Sequence, residues 1–372
     1  MKKGISQIVN ILIMVLVGGF FGYSLGTTLG ERTLTGIVVF QLIFFSILWF
    51  VVQLVIHEAG HAICGKLSGH KLVSFRIFSF MWVWQDNGKI VFRRHKVPGT
   101  LGQCLMAPPP TDISGNYPFR LYLIGGVLAN LVTSLIIGIF FVPASLSATI
   151  FVIVGLFFAL TNGIPMGFND GMTIRLASLS KEQEYLLYLQ FEVNYQFNLG
   201  KTYVELSSDY FQSIPAVPRR TYFNDYQEFL QLGLFFEEKR WEEYEELLEA
   251  MWDREEELVL PYQLEMRKAL LIWLCVCAPE DERIEELWMD KKIQTNLKQP
   301  FMGTRAISAA YYGFIEEDFE KAMAFLEEGK SFYDKAPNLA SAKLGLAELE
   351  WLEELLVQFF DEDSIAVLDI VE

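Results

Sequence analysis

Acidic side chains are scarce in the first half of this 372-residue chain. Residues 1–180 hold 12 lysines and arginines but only five acids, whereas residues 181–372 hold 18 basic and 41 acidic side chains. The formal net charge of the whole chain is −16, which argues against binding to nucleic acid through a basic surface. The chain therefore divides into a basic, apolar half and an acidic half, and no nucleic-acid partner is expected.

Cysteine is also scarce, and its spacing excludes the common cysteine-based sites. The chain has four cysteines, and no paired CxxC motifs that would indicate a zinc ribbon. The spacing of Cys275 and Cys277 does not suit a redox pair. We therefore expect reduced thiols that pack inside helices.

Long apolar runs dominate the first half. Four of them reach the roughly 20 residues needed to cross a bilayer, at residues 8–30, 34–56, 119–142 and 146–166. A cleaved signal peptide is the alternative for residues 1–27, but that run is long and no clear cleavage site follows it. Basic residues, among them Lys66, Lys71 and Arg76 after the second run, lie at the ends that four spans would assign to the cytoplasm. This pattern predicts an integral, multi-pass protein of the cell membrane with both termini in the cytoplasm.

The predicted fold is a polytopic α-helical membrane protein followed by an all-α cytoplasmic domain. Residues 1–33 form the first transmembrane helix, residues 34–180 the membrane core and residues 181–372 the acidic domain. A membrane-associated β-hairpin is predicted over residues 72–96, because β-rich runs flank Asn87-Gly88. The hairpin either lies on the lipid headgroups or offers an edge to an extended peptide. Residues 99–118 are rich in glycine and proline, so an irregular loop is expected there.

The acidic domain contains two similar segments. Residues 234–251 and 311–329 align so that Trp241 and Phe319 correspond, 78 positions apart. The pattern indicates helical-hairpin repeats of tetratricopeptide type, with an ordinary helical bundle as the alternative. Either fold suits a docking or regulatory domain with a protein partner.

The motif His57-Glu58-Ala59-Gly60-His61 lies where the second apolar run ends. Residues four apart share one face of a helix, so both imidazoles can reach one zinc ion while Glu58 lies beside a water molecule. A carboxylate there can take the proton of the water and pass it to a leaving amine. Two packed histidines are the alternative, but ionisable groups are costly inside a membrane span and are usually functional. The motif therefore predicts His57 and His61 as zinc ligands and Glu58 as general base.

A catalytic zinc needs a third protein ligand, and few candidates exist. A histidine six residues after His61 is excluded because Leu67 occupies that position, and no glutamate occurs from 59 to 181. Asp170 ends an apolar run on the side of the membrane predicted for the two histidines, which favours it as the ligand. The alternatives that remain are His70, His95 and Cys64.

These motifs resemble those of the site-2 protease family of intramembrane zinc metalloproteases. The stretch NGIPMGFNDG is similar to the family's second motif, N-x-x-P-x-P-x-L-D-G, and matches it at Asn162, Pro165, Asp170 and Gly171. GGVLAN at 125–130 resembles a further element, A-G-P-x-x-N, and keeps Gly126 and Asn130. The chain departs from the family pattern at Val127, Gly167 and Asn169, and it lacks room for a PDZ domain between the spans.

The resemblance covers roughly residues 35–176 and implies a function. It implies zinc bound by His57, His61 and Asp170, with Glu58 as catalytic base. Asn162 would hold the substrate or stabilise the oxyanion, and Asn130 would be structural. The substrate would be a membrane-spanning or membrane-associated peptide, cut within or beside the lipid bilayer near its cytoplasmic face.

Two other functions remain open. One is a catalytically degenerate membrane scaffold, or peptide-handling accessory protein, that acts through its helical domain; the departures from the family motifs favour it. The other is a transporter that uses intramembrane ionisable groups, which four spans without an evident repeat disfavour.

Overall fold

The structure, a computed structural model, describes residues 15, 18–19, 21–30, 35–85, 88–94, 100–142 and 145–361. The chain is mostly helical and forms two compact units. The first comprises Met1–Pro110 with Asn116–Ser178, and the second comprises Thr111–Gly115 with Leu179–Glu372. We call them the apolar unit and the acidic unit.

Three helices dominate the apolar unit: α1 (Gly36–Leu67), α2 (Phe119–Phe141) and α3 (Leu146–Gly163). They are the helices in the described part of the chain that are long and apolar enough to cross a membrane. Large apolar side chains on them face outward, and Ile139 is 76% exposed, which is costly in water but not in lipid. Most of the predicted first span, residues 8–30, lies outside the described residues, although residues 21–29 are helical.

Helix α1 is longer than the span predicted for it. It runs for 32 residues without a break, which corresponds to about 48 Å at 1.5 Å per residue. A bilayer core is only about 30 Å thick. The His57–His61 motif therefore lies well inside a continuous helix, and not at its end.

The β structure is larger than the predicted hairpin. Four antiparallel strands lie in the order β3-β2-β1-β4, formed by β1 (Lys71–Ile77), β2 (Phe80–Trp84), β3 (Ile90–Arg94) and β4 (Gly102–Ala107). Strands β2 and β3 pair as the hairpin predicts, with Trp84 opposite Ile90, while residues 86 and 87 of its turn lie outside the described residues.

The remaining two strands correct the prediction. The first run of the predicted hairpin is two strands and not one, because it folds back on itself at Phe78, whose φ of 54° is rare for a bulky side chain. The segment expected to be an irregular loop contains β4, which pairs with β1 and buries Cys104 and Met106. Sequence reasoning missed both because neither the turn nor the strand carries a strong local signal.

The acidic unit is all helical among its described residues. A large apolar core, including Leu248, Leu270 and Leu349, holds its helices together. Most connections between them are short, but residues 199–221, which include two 3-10 turns, separate the first helix of the unit from the second. A π-helical turn at Tyr311–Ile315 follows directly on the helix that ends at Ala310. A short helix, α4 (Asp170–Ala177), precedes this unit, which contains α5 (Lys181–Asn198), α6 (Tyr222–Glu237), α7 (Trp241–Trp252), α8 (Leu260–Cys277), α9 (Arg283–Met289), α10 (Lys291–Leu297), α11 (Met302–Ala310), α12 (Phe319–Lys330) and α13 (Leu339–Phe360).

The two similar segments of the acidic unit adopt the same local structure. Trp241 begins α7 and Phe319 begins α12. Two residues before each of them, Lys239 and Glu317 have φ of 56° and 51° in the turn that reverses the chain. The turns of the two helical hairpins are therefore equivalent, and this likeness is compatible with helical-hairpin repeats.

Candidate metal centre

One face of α1 carries polar side chains in an otherwise apolar helix. Gln53, His57 and His61 recur every four residues and are all buried, as a shared helix face requires. This face packs against α2, where Tyr122 and Asn130 are buried. The α1–α2 interface therefore encloses the polar groups that the bilayer would otherwise exclude.

Glycines allow α1 and α2 to approach at this interface. A Cβ atom on Gly60 would lie 2.3 Å from the carbonyl oxygen of Gly125, and one on Gly125 would lie 2.5 Å from the carbonyl oxygen of Gly60. A Cβ on Gly126 would lie 2.6 Å from both His57 Cε1 and His61 Nε2. Only glycine fits at these positions, since small residues permit close helix packing in membranes.

Asp170 reaches the two histidines from the start of α4. Asn169 caps that helix, because its Oδ1 accepts from the backbone N–H of Met172 at 2.9 Å. The Asn169 amide also donates to the carbonyl oxygens of Thr161 at 2.6 Å and Ile164 at 2.5 Å. Asn169 therefore ties the end of α3 to the start of α4 and fixes the backbone that carries Asp170.

The three side chains predicted as ligands converge. Nε2 of His57 and Nε2 of His61 lie 3.1 Å apart, and Oδ2 of Asp170 lies 3.2 Å and 3.4 Å from them. Ligands at zinc distances of 2.0–2.1 Å in a tetrahedron are separated by about 3.3–3.4 Å. Oδ2 of Asp170 is buried without a hydrogen-bond partner, a state that is costly unless another group satisfies it. The three donor atoms could therefore hold one metal ion, and their spacing is compatible with tetrahedral zinc distances.

Hydrogen bonds to neighbouring polar groups orient both imidazole rings. Nδ1 of His61 donates to the carbonyl oxygen of Tyr122 at 2.9 Å. Asn130 uses its amide N–H groups to donate to Gln53, so its Oδ1 accepts from Nδ1 of His57 at 2.7 Å. Both Nδ1 atoms are thus protonated, which leaves both Nε2 atoms free to bind a metal. Sequence reasoning missed Gln53, although a buried glutamine four residues before His57 is a usable signal.

Glu58 is buried beside this group and is covered by the sheet. A Cβ on Gly102, the first residue of β4, would lie 2.3 Å from Oε1 of Glu58. The buried Arg76 donates to the carbonyl oxygens of Phe78 at 2.7 Å and Gly102 at 3.3 Å. Burial lowers the pKa of Arg76, and the charge of Glu58 opposes that shift. Arg76, counted in the sequence among the basic residues on the cytoplasmic side, is a buried cation that holds the strand over Glu58.

The other candidate residues do not join the group. The amide of Asn162 donates to the carbonyl oxygen of Phe158 in its own helix at 3.0 Å, and no described contact links it to the candidate ligands. His70 is buried against Tyr117, and burial lowers its pKa to about 4. Cys64 is a free thiol outside the converging group, and His95 lies outside the described residues.

Comparison with known proteins identifies no relative. No family model matches the chain, and neither a curated protein nor a solved structure matches it. The functional conclusion therefore rests on the residues and their geometry.

Proposed function

We propose that this protein is an intramembrane zinc metalloprotease of the site-2 protease type. The observation that carries the proposal is that His57 and His61, buried inside an apolar helix, converge with Asp170 at zinc-ligand spacing. Burying three ionisable groups in a membrane is costly, and a metal that binds all three offsets that cost. Glu58 follows His57 directly and is buried next to the group, where a general base is required.

The proposed reaction is hydrolysis of a peptide bond. A bound zinc supplies Lewis acidity, which lowers the pKa of water towards neutrality and polarises a carbonyl. Glu58 accepts the proton of the attacking water as the new carbon–oxygen bond forms, and it passes that proton to the nitrogen as the carbon–nitrogen bond breaks. Gly102 and Arg76 hold the sheet against the Glu58 carboxylate, which restricts its motion.

The proposed substrate is a membrane-embedded or membrane-adjacent peptide in extended form. Helical peptide bonds are hydrogen-bonded and hidden, so the substrate unwinds before it reacts. Strand β4 pairs with β1 on one side, and no described strand pairs with its other side. An extended peptide added to that edge would pass Gly102, which touches Glu58. The favoured docking edge is therefore β4, and not the hairpin edge that the sequence suggested.

We also propose a location in the cell membrane, with the site near the cytoplasmic face and both termini in the cytoplasm. Lys66 and Lys71 flank the end of α1 and are exposed, as cytoplasmic anchors are. Arg76 is counted on the same side, although the sheet buries it. The terminal segments 1–14 and 362–372 lie outside the described residues.

The alternative is a degenerate membrane scaffold that acts through the acidic unit. Its support is that Val127, Gly167 and Asn169 depart from the family motifs. The structure gives Asn169 a capping role compatible with the metal site, which weakens this support. Metal content separates the two functions.

Zinc analysis of the purified full-length protein tests the proposal. We expect one zinc per chain in the wild type and about a hundredfold weaker binding in Asp170→Ala, since one of three ligands is lost. Asp112→Ala is the matched control, because Asp112 is an exposed acid that contacts Ser114 and lies outside the group. A wild type without zinc would favour the scaffold, and zinc retained by Asp170→Ala would remove Asp170 from the ligand set.

A further inference from the structure

The acidic unit contains a cavity that the proposed protease does not use. Its volume is about 530 Å³, and eight of its 18 lining residues are aromatic. Ligand sites commonly occupy about 300–1,000 Å³. The lining comes from α6, α7, α8, α13 and Tyr203, so the cavity lies beside the first of the two equivalent hairpins.

Stacked aromatic rings form one wall of this cavity. The rings of Trp241 and Trp351 stack with their centroids 5.5 Å apart and an interplanar angle of 29°. Phe236 meets Trp241 and Trp351 edge-on, with centroids 5.5 Å and 5.1 Å away. All three side chains are half-buried and line the cavity. A ring face that another ring does not cover is negative and attracts cations, and tryptophan does so best.

The charged groups of the lining are mostly acidic. Lys239 is the basic lining residue, and it is exposed. Glu237 accepts from the backbone N–H of Val204 at 3.2 Å, and Glu265 pairs with Lys268 at 2.7 Å. Glu348 has neither a hydrogen bond nor an ion pair among the described residues. The cavity therefore offers an unpaired carboxylate next to an aromatic wall.

The surroundings of Glu348 disfavour its charge in the free protein. Burial raises the pKa of Glu348 to about 7; Lys268 opposes that shift and Glu265 adds to it. A carboxylate in this state gains most from a ligand that brings a positive charge, because pairing offsets the cost of partly removing an anion from water.

We propose that this cavity binds an arginine side chain of a partner peptide, with its guanidinium stacked on the Trp241–Trp351 wall and paired with Glu348. A planar guanidinium can stack on aromatic rings and form two hydrogen bonds to one carboxylate, which an ammonium group cannot do. The cavity exceeds the size of one side chain, so it also admits flanking peptide backbone. The excess of acids over residues 181–372, 41 against 18 basic side chains, attracts a basic segment from a distance.

This inference concerns the acidic unit alone and does not depend on the metal centre. It specifies the partner expected for that unit as a basic peptide segment that contains arginine. Loss of zinc or of cleavage leaves it unchanged, so the failure of one proposal is distinguishable from the failure of the other.

Calorimetric titration of the full-length protein in detergent tests the inference. The probes are N-acetyl-arginine-amide and N-acetyl-citrulline-amide, which differ in charge but little in shape. We expect arginine to bind about tenfold or more tightly than citrulline, and Glu348→Gln to remove that preference. Glu354→Gln is the matched control, since Glu354 is exposed on the same helix and does not line the cavity.

Three results would overturn the inference. They are no saturable binding of the arginine probe up to about 10 mM, equal binding of both probes, and an unchanged arginine preference in Glu348→Gln. The comparison of the two probes on the wild type remains decisive if a variant does not fold. Trp351→Leu is a second test, because loss of the stacking wall should weaken binding of the arginine probe more than binding of the citrulline probe.

Discussion

Glu58→Gln is expected to lower the rate of peptide cleavage about a thousandfold or more while one zinc per chain is retained. Glutamine has nearly the same shape as glutamate, so it fits beside Gly102 without displacing β4. It cannot accept the proton of the attacking water. Loss of a positioned general base typically lowers the reaction rate by roughly two to four orders of magnitude. The assay is cleavage of a membrane-embedded substrate by purified protein in vesicles.

Zinc content is the internal control for this variant. Retained zinc with lost cleavage separates the role of Glu58 in the chemistry from a role in binding the metal. Undiminished turnover in Glu58→Gln would remove Glu58 from the reaction. The same inactive protein should accumulate bound substrates in membranes, which would identify the peptides that it cuts.

Gly126→Ala is expected to weaken zinc binding strongly and to reduce cleavage with it, although Gly126 is not a ligand. The added Cβ would lie 2.6 Å from His61 Nε2 and 2.8 Å from His57 Nδ1, distances that real Cβ contacts do not reach. Either an imidazole leaves its position or α2 moves away from α1, and both changes separate the ligands. We expect metal affinity to fall by about a hundredfold or more, at the upper end of the effects of groups that support metal ligands.

A glycine in the same helix gives the matched control. A Cβ on Gly138 would meet only the methyl groups of Val152, at 3.7 Å and 3.9 Å, which are ordinary contacts. Gly138→Ala should therefore bind zinc and cut substrate like the wild type. Normal zinc binding by Gly126→Ala, measured with the same metal analysis, would show that the α1–α2 interface is not arranged as described.

The converging side chains could be predicted from the sequence, because they follow from the spacing of residues on a helix and from the small number of acidic residues. The spacing of His57 and His61 follows from the helix period. Asp170 followed from scarcity, since only five acids occur in the first 180 residues. The three apolar helices were predictable because a run of about 20 apolar residues is the length of a helix that crosses a bilayer.

The support around the site could not be predicted, because it depends on contacts between distant segments. Asn130 is separated from His57 by 73 positions, yet its amide orients the imidazole. Gly102 meets Glu58 only because β4 pairs with β1. Strand β4 has no strong alternation of its own, and it is stabilised by burial against α1 and by pairing with its neighbour. The burial of Arg76 could not be predicted for the same reason, since a basic residue near a span gives no sign in the sequence that a sheet will enclose it.

X-ray absorption at the zinc edge of the purified wild-type protein tests the central claim most directly. We predict one zinc per chain, surrounded by nitrogen and oxygen atoms at about 2.0–2.1 Å, with the outer-shell scattering of two imidazole rings. No sulfur should appear at about 2.3 Å, because Cys64 lies outside the converging group. A sulfur ligand, a single imidazole or the absence of bound zinc would contradict the assignment of His57, His61 and Asp170.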